Sequence, residues 1–385
     1  VTATGQPSGD VDPSGAGWTA REIGQQPALW REVARSVESA RAETDAFLAP
    51  LLAQTRLRIV LTGAGTSAFA GAVLAPYLAR RMGRRVEAIA TTDLVSNPRE
   101  HLAEDVPTLL VSFARSGDSP ESVAAARLAS RCLTRCHHMV LTCNNRGELY
   151  RDHVAAPLSL VRVMPAGAND RGFAMTSSYT CMLLTALLVL GGESVDLVER
   201  LGAAADQLLA GTAAAIRDVA YRGPRKIVYL GSGPLTGLAQ ESALKMLELT
   251  AGTVATWFDS PLGFRHGPKS VLDDTTLVLV FVSNDPYTRK YDLDMVAELR
   301  ATQQRGSVVV VSAAREDPEP DNCWMIDGVE DLDDVALSLP FVVCAQLLAL
   351  HTSLARGFTP DNPFPGGEVN RVVRGVTIHE LDGSG

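Results

Sequence analysis

The sequence predicts an α/β fold made of two tandem copies of one unit, each a mostly parallel sheet flanked by helices. Three observations predict it. Short apolar runs alternate with Ala-rich helical stretches, the pattern of parallel strands joined by helical crossovers. A Gly-x-Gly turn follows the first apolar run in each half. The halves also align without a gap at one offset of 168 residues. Ile59–Gly65 falls on Ile227–Gly233, Thr108–Val111 on Thr276–Leu279, and Val140–Thr142 on Val308–Val310.

Residues 1–17 are rich in Gly, Ser and Pro and lack the basic-then-apolar pattern of a signal peptide; they read as a disordered lead-in. Thr19 and Glu22 have the spacing of a capping box, which starts a helix near Ala20. Pro27 suits the first turn of a second helix running to Arg41 or beyond. Residues 18–44 thus form an N-terminal helical segment. The first copy spans residues 45–195, with strands at Arg58–Leu61, Val86–Ala90, Thr108–Phe113 and His138–Thr142. Its last helix is Thr176–Leu190. The second copy spans 210–355. Residues 356–385 form a tail, with a strand-like stretch at Val369–Ile378.

Composition narrows the function. The chain has 385 residues, with Lys+Arg 35 against Asp+Glu 44, a net charge of −9. That disfavours a general nucleic-acid surface, which needs a basic footprint, but leaves room for one small anion held locally. The longest apolar stretches, Cys181–Leu190 and Leu339–Leu350, are about half the roughly 20 residues of a membrane span. No membrane partner and a cytoplasmic location are expected. Six cysteines are too sparse for a disulfide scaffold. Cys132, Cys136, His137, His138 and Cys143 cluster in sequence but lack the C-x-x-C pairs of structural zinc, so no metal is expected. Cys132 and Cys136 are expected on one helical face.

The two copies differ where a ligand would bind. In doubly wound sheets the crevice lies at the strand C-termini, beside helix N-termini. There the first copy has Gly65-Thr66-Ser67 and Arg115-Ser116-Gly117-Asp118-Ser119. The second has Pro234-Leu235 and Ser283-Asn284-Asp285-Pro286-Tyr287. Any one of these hydroxyls could be only a helix cap. Two hydroxyl-rich turns, both lost in the sister copy, point to a phosphate cradle in the first. A dinucleotide fits poorly: no Gly stands at position 68, and no acidic residue follows at the ribose spacing.

The second copy carries acid–base candidates instead. Glu241, Lys245 and Glu248 stand at i, i+4 and i+7 in a helix expected to open at Gly237, so they share one face. On an average helix this would be an exposed ion-pair stripe. Here the flanking residues are apolar and the helix is expected against the crevice. His266 is the one histidine of seven set among Gly and Pro residues in a loop, and is the best acid–base candidate of its type.

These motifs resemble the sugar isomerase (SIS) domain proteins, with two such domains here. Glu241–Glu248 with His266-Gly267-Pro268 is similar to the isomerase domain of glucosamine-6-phosphate synthase. Thr19–Trp30, Ala174–Ser178 and Gly367–Val373 resemble more specifically the tagatose-6-phosphate ketose/aldose isomerase group, also described as galactosamine-6-phosphate deaminase/isomerase. The resemblance covers Gly17 to Leu381. It implies that Thr66, Ser67, Arg115, Ser116 and Ser119 hold a phosphate. Glu248 would move a proton between C1 and C2, His266 would open the sugar ring, and Glu241 and Lys245 would orient and tune Glu248. Gly65, Thr176 and Arg374 are further substrate contacts on this reading. It also implies a homodimer with the active site at the subunit interface, and no cofactor. The synthase's glutamine-hydrolysing domain has no counterpart in the sequence given. Arg374 stands where the synthase has a Lys, and an always-protonated Arg could bind but not form a Schiff base. The expected activity is conversion of a hexosamine 6-phosphate, the galactosamine epimer foremost, to a ketose 6-phosphate plus ammonia. The alternatives are aldose–ketose isomerisation without deamination and a non-catalytic phosphosugar-binding regulator. The short, non-basic N-terminal segment disfavours the last.

Overall fold

The structure, a computed structural model, describes residues 14–315, 322–373 and 375–381. Most of the expected lead-in, and Arg374, lie outside the described residues.

Five strands form the first sheet: β1 (Arg58–Thr62), β2 (Val86–Ala88), β3 (Thr108–Ala114), β4 (Cys136–Thr142) and β5 (Ser159–Val163). The second sheet has β6 (Lys226–Gly231), β7 (Ala255–Asp259), β8 (Thr276–Phe281), β9 (Val308–Ser312) and β10 (Cys323–Met325). The orders are β2-β1-β3-β4-β5 and β7-β6-β8-β9-β10, the same path through both sheets. All pairings are parallel. The central strands β1, β3, β8 and β9 are buried along their whole length, as expected of parallel sheets covered on both faces.

The helices that matter for the site are α1 (Gly17–Gly24), α2 (Gln26–Ser39), α3 (Arg41–Leu52), α4 (Thr66–Met82), α5 (Pro120–Cys132), α6 (Ser177–Gly191), α7 (Pro234–Leu249), α8 (Thr288–Thr302) and α9 (Asp334–Ala355). Ile59 and Leu61 from the first sheet and Ile227 and Tyr229 from the second join α4, α6, α7 and α9 in one continuous core. The alternate residues, Val60 and Val228, face separate outer clusters under α5 and α8. Helix α9 is longer than its apolar run. Its 22 residues would suffice to cross a membrane by length and composition, but 94% of its apolar window is buried inside the protein.

Several expectations are corrected. The 168-residue offset holds for the β1–β3 and β6–β8 ladders, where Ile59 pairs with Leu109 and Ile227 with Leu277. It fails at the next strand. Leu110 pairs with His138, while Val278 pairs with Val308, so β9 corresponds to β4 at an offset of 170. A two-residue slip preserves which face each side chain occupies, so the apolar pattern could not reveal it. Thr19 and Glu22 form no capping box. Helix α1 begins at Gly17, and both side chains bond to distant segments. Helix α7 opens at Pro234, not Gly237. Gly237 lies inside it, where α7 crosses the backbone of α4. Cys132 ends α5 whereas Cys136 opens β4, so they do not share a helical face. No strand forms among the described residues of Val369–Ile378.

Candidate active site

The site is built where the two copies touch. Strand β1 turns into α4 through Gly65, whose φ of 55° and ψ of −127° are nearly those of Gly233 before α7, at 55° and −124°. Only glycine adopts this backbone without strain, so the paired turns are a shared inheritance of the two copies. They lead into twin helices, α4 and α7, which pack against each other. The contact sets Thr66, in the first turn of α4, beside Glu241 in the second turn of α7.

Helix α7 holds the acid–base array. Glu241 and Lys245 are fully buried, and Lys245 Nζ lies 3.6 Å from Glu241 Oε1. Lys245 also forms a close ion pair with Oε2 of Glu248. The Glu248 side chain retains 24% of its exposure, so of the three it is the one open to a ligand. Neither oxygen of Glu241 has a hydrogen-bond partner among the described residues. Burial pushes its carboxyl up to about 8, and the Glu248 charge adds to this; Lys245 and the nearby Thr66 hydroxyl oppose it. Burial alone would lower the Lys245 ammonium, but Glu241 and Glu248 outweigh it and hold the group above its usual range. Glu241 therefore holds its proton more tightly than an ordinary carboxyl, behind a lysine that also pairs with Glu248. The Tyr179 phenol, buried near Glu241 without a hydrogen-bond partner among the described residues, is raised well above its usual range by that burial.

The phosphate-loop candidates occupy different depths. Thr66 and Ser67 are buried, and the Ser67 hydroxyl approaches Met175 Sδ at 3.9 Å. Arg115 follows β3; its guanidinium donates to the carbonyl oxygens of Phe173 at 3.4 Å and Arg371 at 2.9 Å. Ser116 Oγ accepts from the Asp118 amide at 3.2 Å, and its carbonyl accepts from Asn144 at 2.8 Å. Ser119 caps α5 by its backbone alone, leaving its hydroxyl uncommitted to the cap. Arg115, Ser116, Phe173, Asn370 and Arg371 line one cleft of about 590 Å³.

Of the expected residues only Arg115 and Ser116 line this cleft; Gly65, Thr66, Ser67, Ser119, Thr176, Glu248 and His266 do not. Thr176 gives its amide and hydroxyl to Asp170, at 2.9 and 3.1 Å, and is buried away from the cleft. His266 is exposed, in the loop between Pro261–Phe264 and Pro268–Val271. Arg265, at 2.8 Å, and Lys269 both pin that loop to Glu298. Within one chain the loop brings His266 into no hydrogen bond with α7 or the phosphate loops among the described residues.

Sequence reasoning missed the frame around the cleft. Asp170 accepts the amides of Thr176, Ser177 and Ser178 and so caps α6. Glu22 accepts the amides of Arg171 and Gly172. Burial, with repulsion from Asp170, pushes its carboxyl up to about 7. Asp361 of the tail accepts the amides of Trp18 and Thr19, at 3.0 and 2.7 Å, capping α1. Phe364 packs on Phe173 at 5.1 Å between ring centres. Arg371 donates to the carbonyl oxygen of Asp170. The family-specific stretches around Glu22 and Arg371 marked these places, but sequence spacing carried no sign that they meet.

The matching crevice of the second copy remains a cavity of about 500 Å³, but its own carboxylates engage the turns that line it. Asp292 of α8 accepts the Ser232 hydroxyl at 2.5 Å and the Ser283 amide at 2.9 Å. Asp334 accepts the Ser283 hydroxyl at 2.6 Å and the Asn284 amide at 2.8 Å. Those hydroxyls and amides are thereby engaged within the protein. Among the described residues no group of three His, Cys, Asp or Glu side chains is arranged to hold a metal ion.

Comparison with known proteins fits this geometry. The SIS domain family model matches residues 51–190. A Streptomyces coelicolor AgaS protein is 60% identical over 371 residues, covering 94% of this chain and 96% of the relative. The chain belongs to the AgaS family of SIS-domain proteins. An AgaS relative from Escherichia coli, named D-galactosamine-6-phosphate deaminase, is 46% identical over 371 residues, covering 94% of this chain and 95% of its own. The crystal structure of tagatose-6-phosphate ketose/aldose isomerase from Escherichia coli matches with a TM-score of 0.88 at 43% identity, over 95% of this chain and 97% of that one. Both AgaS matches run over nearly the whole of either chain.

Proposed function

We propose that this chain converts D-galactosamine 6-phosphate to the corresponding ketose 6-phosphate and ammonia. The phosphate is held by Ser116, Ser119 and Arg115, with the α4 turn at Gly65, Thr66 and Ser67 forming the cradle floor. Each charge-assisted bond there contributes roughly 1.5–3 kcal/mol, enough to fix the open-chain C1–C2 region against Glu248. His266, supplied from a second copy of the chain, opens the ring.

Glu248 then removes the C2 proton from the open-chain amino aldehyde. The electron pair moves into C1–C2 and the carbonyl oxygen is protonated, giving an enaminol. Return of the proton to C1 leaves a C2 imine. Water adds to the imine, ammonia leaves, and the ketose remains. The Lys245 ammonium stabilises the Glu248 carboxylate before the first transfer and after the second, and Glu241, 3.6 Å from Lys245, helps to hold that ammonium in place.

The observation that carries this reading is the partly open Glu248–Lys245 pair on a helix packed against the hydroxyl turn of the other copy, in a chain of the AgaS family. The test is a coupled assay for ammonia and ketose with D-galactosamine 6-phosphate and D-glucosamine 6-phosphate. Ammonia from the first substrate supports the reading, and ammonia from neither overturns it. Ketose from a neutral aldose phosphate without ammonia supports plain isomerisation, the activity named for the Escherichia coli structure.

A further inference from the structure

We infer that Arg371 is a second cationic ligand for the substrate phosphate, acting beside Arg115. The inference rests on the phosphosugar reading above and adds to it a residue from the C-terminal tail.

Arg115 and Arg371 line the same cleft with Ser116, and the carbonyl of Arg371 accepts a bond from Arg115 at 2.9 Å. Arg371 in turn donates to the carbonyl of Asp170. Each guanidinium has five N–H donors, and the bonds formed here use only part of them. Among the described residues neither is in an ion pair. Burial and the Arg115 charge push Arg371 below its usual range, against a weaker pull from Glu22 and Asp170.

The oxygens of those two carboxylates are engaged by backbone amides rather than by the guanidinium groups. Asp170 is taken by the amides of Thr176, Ser177 and Ser178, and Glu22 by those of Arg171 and Gly172. Two cations held together against only this weaker pull repel each other, and a dianionic phosphate removes that repulsion while accepting the remaining donors in the fork geometry guanidinium favours. The second copy shows the complementary solution, with carboxylates standing in its crevice.

The test compares wild type, Arg371→Ala and Arg371→Lys. Binding of inorganic phosphate is measured by calorimetry, and KM and kcat with D-galactosamine 6-phosphate. Arg371→Ala is expected to weaken phosphate binding and raise KM on the order of 10- to 100-fold, with kcat changed far less. Arg371→Lys keeps the charge but loses the fork, and is expected to fall between the two. The inference is overturned if Arg371→Ala melts like wild type and binds phosphate within about twofold of it. If Arg371→Ala fails to fold, Arg371→Lys with wild-type phosphate affinity and KM overturns it instead. The phosphate measurement does not depend on turnover. Ammonia from wild type with unchanged phosphate binding in the variants sinks this inference alone, whereas weakened binding without ammonia from wild type sinks the deaminase reading alone.

Discussion

The backbone of Gly237 rests on that of Val73: a Cβ at Gly237 would stand 2.8 Å from the Val73 amide nitrogen and 2.9 Å from the Ala72 carbonyl carbon. This contact is the hinge pin between the copies, because α4 carries Thr66 at one end and α7 carries Glu241 one turn beyond Gly237. Neither neighbour is the flexible end of a side chain, so the helices themselves must separate to admit a methyl group. Gly237→Ala is expected to destabilise the fold by about 1–3 kcal/mol, read by urea denaturation. A variant as stable as wild type would show that the helices are free to slide.

Glu248→Gln removes the proposed base while keeping its shape. It is expected to bind D-galactosamine 6-phosphate with near-wild-type affinity and to lose at least about 10²-fold in kcat. Turnover at the wild-type rate would remove Glu248 from the reaction.

Glu241 gives a pH signature in stability. Its carboxyl is raised to about 8 in the fold from an ordinary value of 4.5, so between those values the folded state binds the extra proton. Stability contributed by the neutral acid is therefore present below about 4.5 and is lost as pH rises towards 8. Glu241→Gln, neutral throughout, is expected to gain stability relative to wild type as pH rises through this window. The difference between the two proteins, followed by denaturation across the neutral range, checks the sign; Glu22 titrates in both and cancels.

The place of His266 can be tested without a structure of the assembly. If Glu248 of one subunit works with His266 of the other, mixing the inactive Glu248→Gln and His266→Asn variants under exchange conditions creates one intact site per mixed dimer. Activity is expected to return on mixing. If it does not, though mixed dimers are shown to form, the loop serves its own chain or has another role.

The tail also has a structural task. Asp361→Ala removes the acceptor for Trp18 and Thr19 at the start of α1, and is expected to cost about 1 kcal/mol, up to roughly 2. Faster hydrogen exchange confined to the α1 amides is the readout. Uniform exchange across the fold would place the loss elsewhere.

Much of this arrangement was legible from residue patterns because it is local. The strands announce themselves by apolar runs, the twin turns by Gly63-x-Gly65 and Gly231-x-Gly233, and the acid–base face by the helical spacing of Glu241, Lys245 and Glu248. What escaped depends on contacts between distant segments. Thr19 and Glu22 read as a cap for their own helix, yet their partners are Asp361 and the loop at Arg171–Gly172. The β9 register slipped by two because alternation is blind to even shifts. Arg371 was in view as part of a motif, but only folding puts it at Arg115, 256 residues away in sequence.

The carboxylates of Asp292 and Asp334 give the two crevices unlike fates. One half of the molecule supplies negative charge to its own turns. The other sets Arg115 beside Arg371, and on the proposed reading an arriving phosphate would therefore raise the melting temperature as well as position the sugar.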